Sequence, residues 1–193
     1  MRRRLGGTLI AIATFRAFLG AIVLIWLSHP LPDVEIVCLA ALAVAQLTDH
    51  LDGWLARRYS TPCLAGYLQD SVSDKLFHVG CLIGLQTRFD GVGLLLWGLL
   101  AREFILLASR VLAPEVDRSL ARLRTYSVAY AALVRLGILS FMLSLWGGAA
   151  GGYAISVGYA LLAAAVILGT LGWAAALKPS RSSEARRRPA EEP

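Results

Sequence analysis

The sequence predicts an all-α fold, a polytopic membrane helical bundle with six transmembrane helices and both termini cytoplasmic. Three observations carry that prediction. Of the 193 residues, 57% are hydrophobic and only 17% are charged, whereas a soluble domain carries about 25% charge. The apolar residues gather into six runs, each close to the roughly 20 residues that a helix needs to cross the hydrocarbon core. The cations collect on one side of those runs. No strand-like alternation is sustained, and exposed backbone cannot cross lipid, so the spans are helical.

The runs fall at approximately 8–28, 34–57, 70–87, 92–112, 124–146 and 152–177. The first follows MetArgArgArg. Its apolar stretch exceeds the ~7–15 residues of a signal-peptide core and no small-x-small cleavage site follows, so it is expected to be retained as a span. HisProLeuProAsp at 29–33 turns the chain into the second run, and Pro62 separates the second from the third. Asp70 and Asp74 are expected to open the third helix, with Gly66 just before it. ArgPheAspGly at 88–91 and GlyGlyAlaAlaGlyGly at 147–152 read as loops. Gly147/Gly151 and Gly148/Gly152 match a GxxxG spacing, but in an expected loop they carry no dimerisation argument. Residues 1–178 form one membrane domain, and 179–193, polar, charged and proline-bearing, a disordered polar cytoplasmic tail.

Arg2, Arg3, Arg4, Arg57, Arg58, Lys75, Arg118, Arg122, Arg124, Lys178 and the tail arginines share one side, and Arg88 stands on the other. The positive-inside bias puts that rich side in the cytoplasm and requires an even number of spans. The net charge of +6 therefore faces anionic lipid headgroups, and no nucleic-acid partner is expected. Cys38, Cys63 and Cys81 are odd in number and lack short ligand spacing, which argues against a disulfide framework or a zinc site.

Four carboxylates stand out in a chain otherwise poor in charge. Asp49 and Asp52 are spaced i,i+3, Asp70 and Asp74 i,i+4, so each pair shares one helix face. Asp49, Asp52, Gly53 and Ala56 form one stripe with Arg57 at its edge, and the two small residues allow a ligand or a backbone to come close. A charged residue costs about 2.5–3.5 kcal/mol at mid-membrane, less near the interface. One isolated acid is accounted for by an arginine partner, and Arg16, Arg102, Arg110 and Arg135 are available. Four acids in paired register call for more. Two divalent metal ions, Mg2+ or Mn2+, suit these hard oxygen donors. Two such ions about 3.5–4 Å apart form the clamp used to displace groups at phosphorus, which favours phosphoryl-type transfer on a diphosphate.

Asp49-x2-Asp52-Gly53-x2-Ala56-Arg57-x8-Gly66-x3-Asp70-x3-Asp74 resembles the complete signature of the CDP-alcohol phosphatidyltransferase family. The resemblance implies an integral membrane enzyme of phospholipid synthesis that attacks CDP-diacylglycerol with a small alcohol and releases CMP, acting as a homodimer. It implies Asp49, Asp52 and Asp70 as metal ligands, with Asp74 completing the metal site. Asp74 would lie beside the metals and serve as the base for the acceptor hydroxyl. Gly53, Ala56, Arg57 and Gly66 would line the CDP site, with Arg57 meeting the diphosphate. A bacterial inner membrane, with the active site facing the cytoplasm, is the expected location.

The acceptor is read from other positions. Asp74-Lys75-Leu76, Arg102-Glu103 and Arg122-Leu123-Arg124-Thr125 resemble phosphatidylglycerophosphate synthases, which implies glycerol 3-phosphate as acceptor. Arg16, Lys75, Arg102, Arg122 and Arg124 are the candidates for the acceptor phosphate, since guanidinium forks match phosphate oxygens. Departures from that branch, such as Asp70-Ser71 in place of Asp-Pro, keep inositol phosphate, phosphatidylglycerol or a CDP-alcohol donor as alternatives. For Arg16 and Arg102, interhelical pairing weighs equally, Glu103 being the obvious partner of Arg102. Arg110 and Arg135 are expected to snorkel to the surface rather than join the pocket, and His78, one turn beyond Asp74, to be a satisfied buried histidine rather than a group that tunes Asp74. Trp54, Trp97, Trp146 and Trp173 read as core or interface anchors. A cation or proton transporter is the rival from another class, but it would spread ionisable groups through the membrane depth, often with repeat symmetry, and here the acids crowd at one end.

Overall fold

The computed structural model describes residues 2–29, 33–59, 64–112 and 124–177, with side chains described from Ala11 onward except at 52–53, 55–71, 107, 109–124, 148–149 and 176–177. Among these residues there are six helices and no strand: α1 Arg2–Ser28, α2 Val34–Tyr59, α3 Leu64–Gln86, α4 Val92–Leu112, α5 Arg124–Ser144 and α6 Gly148–Leu177. The expected tail 179–193 lies outside the described residues. Stretches in four helices are long and apolar enough to cross a bilayer, Ala11–Ser28, Val34–Leu51, Thr125–Ser144 and Ala150–Ala175.

Two boundaries differ from expectation. α3 begins at Leu64, so Gly66 lies inside it and Asp70 and Asp74 occupy later turns instead of opening it. Leu64, Ala65 and Leu68 are strong helix formers and outweigh the single glycine. The expected loop at 147–152 shrinks to a tight turn. Gly147 takes the left-handed conformation (φ 74), its N–H donating to the Ser144 carbonyl at 3.1 Å, and α6 starts at the next residue. A glycine just past a helix end supplies that conformation without steric cost.

α1 packs most extensively on α3, and α5 on α6, with further contacts joining α1 to α2, α4 to α6, α3 to α4, and α5 to both α2 and α3. Lipid tails are as apolar as leucine, so close packing holds such a bundle together. The α1–α3 crossing is the tightest instance. A Cβ on Gly20 would lie 2.7 Å from the Phe77 Cα, and one on Gly80 only 2.5 Å from the Gly20 carbonyl oxygen. Val23, Leu27, Phe77, Cys81, Leu82, Leu85, Ile138, Phe141 and Leu162 fill the core around it. Cys38 and Cys81 are buried free thiols, packed in the core as small hydrophobes. At the opposite end Arg88 donates to the Leu27 carbonyl at 2.8 Å and to the His29 carbonyl at 3.0 Å. It thereby satisfies carbonyls that the end of α1 leaves without helical partners. Trp97 and Trp146 are exposed on the outside of the bundle, as membrane anchors would be.

Candidate active site

The Gly20–Gly80 crossing sets the site. Arg16 lies one turn before Gly20 on α1, and Asp74 one turn before Phe77 and His78 on α3, so close backbone approach brings them to the same level. Asp49 comes from α2 and Arg135 from α5. Measured along each helix from Ser28, Val34, Gln86 and Ser144, the four lie at similar depth, roughly 13–22 Å from those ends.

Arg16 is fully buried, and its Nη1 donates to Asp49 Oδ1 at 3.3 Å and lies 4.0 Å from Asp74 Oδ1. Arg135 Nη2 bridges both acids, at 2.9 Å from Asp49 Oδ2 and 3.2 Å from Asp74 Oδ1. The two carboxylates are each 24% exposed. On the other side of Asp74, His78 Nδ1 stands 3.8 Å from Oδ2, beyond hydrogen-bond distance. Charge is balanced within this group, two guanidiniums against two carboxylates, which is what permits such groups to be buried at all.

A second cluster adjoins it. Lys75, next to Asp74 in sequence, meets Glu103 Oε2 at 2.5 Å, while Arg102 meets Glu103 Oε1 at 2.5 Å. The Arg102 guanidinium also stacks 3.8 Å above the Tyr130 ring, a cation–π contact. Gly169 on α6 makes room for it, since a Cβ there would lie 2.8 Å from Arg102 Nε. Glu103 thus joins α3 to α4, and Arg102 joins α4 to α5 and α6.

Among the sequence candidates, the structure brings together Asp49, Asp74 and Arg16, and places Lys75 and Arg102 in the adjoining cluster. The side chains of Asp52, Gly53, Ala56, Arg57, Gly66, Asp70, Arg110, Arg122 and Arg124 lie outside the described residues. Two expectations are corrected. Arg135 does not snorkel but turns inward to the acids, because two carboxylates offer more than the headgroup layer does. His78 is buried as expected but not satisfied, its Nε2 having no hydrogen-bond partner among the described residues. Tyr130 was not singled out in sequence. The available signal for Arg135 was an arginine set deep in an apolar helix of a protein with unbalanced buried acids.

Asp49 Oδ2 and Asp74 Oδ1, from different helices, converge on one position already held by positive charge. Converging hard oxygen donors fit Mg2+ or Mn2+. Among the described residues no group of three or more His, Cys, Asp or Glu side chains forms a complete ligand set.

Comparison with known proteins bears on the chemistry. The profile of the CDP-alcohol phosphatidyltransferase family matches residues 10–174, which includes Arg16, Asp49, Asp74 and Arg135. A cardiolipin synthase (CMP-forming) from Streptomyces coelicolor is 38% identical over 76 residues, 39% of this chain and 35% of that protein. The chain therefore matches about a third of that relative's length. No solved structure shows a significant match.

Proposed function

This chain belongs to the CDP-alcohol phosphatidyltransferase family, and from that premise we propose that it transfers a phosphatidyl group from CDP-diacylglycerol to an alcohol with release of CMP. The observation that carries the reading is the convergence of Asp49 and Asp74, on separate helices, at one half-buried position, charge-balanced among the described residues. Two divalent ions, Mg2+ or Mn2+, held by Asp49, Asp52, Asp70 and Asp74, would draw charge off the phosphate oxygens and the departing CMP.

The acceptor oxygen attacks the phosphatidyl phosphorus, the bond from that phosphorus to the diphosphate bridging oxygen breaks, and CMP leaves with that oxygen. Asp74 takes the hydroxyl proton as attack proceeds. Arg16, held by Asp49 and close to Asp74, keeps α2 and α3 at fixed separation, so the base is positioned before the substrates arrive. Arg57, Gly53, Ala56 and Gly66 form the donor side. The chain sits in a bacterial inner membrane with six spans, both termini and the active site on the cytoplasmic face, and works as a homodimer.

Two acceptors compete. Glycerol 3-phosphate is the acceptor implied by Lys75, Arg102, Arg122 and Arg124. Phosphatidylglycerol is favoured by two observations: the likeness to a cardiolipin synthase, and the pairing of Lys75 and Arg102 with Glu103, which leaves those cations occupied rather than offered to a phosphomonoester. We favour phosphatidylglycerol. Purified protein given radiolabelled CDP-diacylglycerol and both acceptors at equal concentration should make cardiolipin in excess. Phosphatidylglycerophosphate as the dominant product would return the acceptor to glycerol 3-phosphate.

A further inference from the structure

Asp49 Oδ2 and Asp74 Oδ1 present one shared position to a cation, and Arg135 Nη2 is in it, at 2.9 and 3.2 Å. A divalent ion bound by both carboxylates and this guanidinium cannot hold that position together. The two arginines of the cluster differ in their freedom to leave. Arg16 is fully buried on α1, 3.3 Å from Asp49 and 4.0 Å from Asp74. Arg135 is one-quarter exposed, and its Nε is buried without a hydrogen-bond partner among the described residues. Among the described residues its guanidinium is tied through Nη2 to the two carboxylates, and a long flexible stem lets it withdraw.

We propose that Arg135 is an exchangeable counter-ion, which holds Asp49 and Asp74 together in the metal-free protein and is displaced from them when a divalent cation binds. The inference rests on the metal-site reading above and adds a competitor that belongs to the chain. It explains how two acids from different helices stay buried before metal arrives, and it makes metal affinity a difference between two cations. Any ligand that draws the freed guanidinium away, an anionic phosphate for instance, then raises metal affinity, because coupling between two binding events is reciprocal.

The test is Mn2+ binding to the full chain in detergent, read as loss of the free-ion signal in electron paramagnetic resonance, so that no turnover is needed. Arg135→Met should bind Mn2+ about tenfold more tightly than the wild type, while Arg135→Lys, which keeps the charge, stays within about threefold. Arg135→Gln gives the same direction as Met if the Met variant does not fold. Unchanged or weaker binding in the neutral variants would overturn the proposal and show that Arg135 positions the acids for the metal. Wild-type protein without Mn2+ binding that Asp49→Asn removes would instead overturn the metal-site reading, and this inference with it.

Discussion

Asp74 receives Arg135 on Oδ1 and faces His78 with Oδ2, so its two oxygens have separate surroundings. One is engaged by cations and the other is turned toward a ring nitrogen. As the base, it should be indispensable for turnover and dispensable for donor binding. Asp74→Asn is expected to lower CMP release by about 10²–10⁴-fold while binding of CDP-diacylglycerol stays within a few-fold; equal losses of binding and turnover would remove the base assignment. Arg16 makes a different prediction. Arg16→Met leaves buried carboxylates short of a counter-charge, which costs about 3–5 kcal/mol when one partner of a buried pair is removed. The thermal unfolding midpoint of the variant should fall accordingly, and an unchanged midpoint would show that Arg16 is not part of the cluster's support. Asp49 and Asp74 stood out in the sequence because spacing pairs them with Asp52 and Asp70 on single helix faces; the side chains of Asp52 and Asp70 lie outside the described residues. Arg135 did not stand out. A lone arginine on one helix has the surface as its default partner, and only the packing of α5 against α2 and α3 supplies a better one.

At the scale of elements, the α1–α3 crossing sets the site's geometry without contributing chemistry. Gly80→Val would drive a side chain into the Gly20 carbonyl, 2.5 Å from the new Cβ. The clash is with backbone, so no rotamer change relieves it. Overpacking of this kind costs about 1–3 kcal/mol, and here it also separates Arg16 from Asp74. The variant should lose both thermal stability and CMP release. Gly152→Ala is the matched control, since nothing lies within 4 Å of its added methyl, and it should leave both unchanged. If Gly80→Val behaves like the control, α1 does not set the position of Arg16. The six described helices coincide with apolar runs, and four of them are long and apolar enough to cross a bilayer, because lipid demands length and hydrophobicity before any tertiary detail. Their starts were less legible. Asp70 and Gly147 were read as boundary markers, yet a start is decided by which residue satisfies the end groups and takes the turn conformation, as Gly147 does.

Across the whole molecule, the charge distribution separates two ends. Arg88 is spent on the carbonyls at the end of α1, which leaves its end of the bundle with little free positive charge among the described residues. The other end holds the start of α5, and the acid cluster lies between the two. In a background lacking Cys38, Cys63 and Cys81, a cysteine at Asp90 should label with a membrane-impermeant reagent from outside intact cells, and one at Ser127 only after the inner face is opened. The reverse pattern would invert the proposed orientation. The central claim is chemical and has a direct test. Purified protein in lipid, supplied with CDP-diacylglycerol, phosphatidylglycerol and Mg2+ or Mn2+, should release CMP in step with cardiolipin formation, and chelation of the metal should stop both. An absence of CMP with every alcohol offered, by protein that is folded and metal-loaded, would contradict the account.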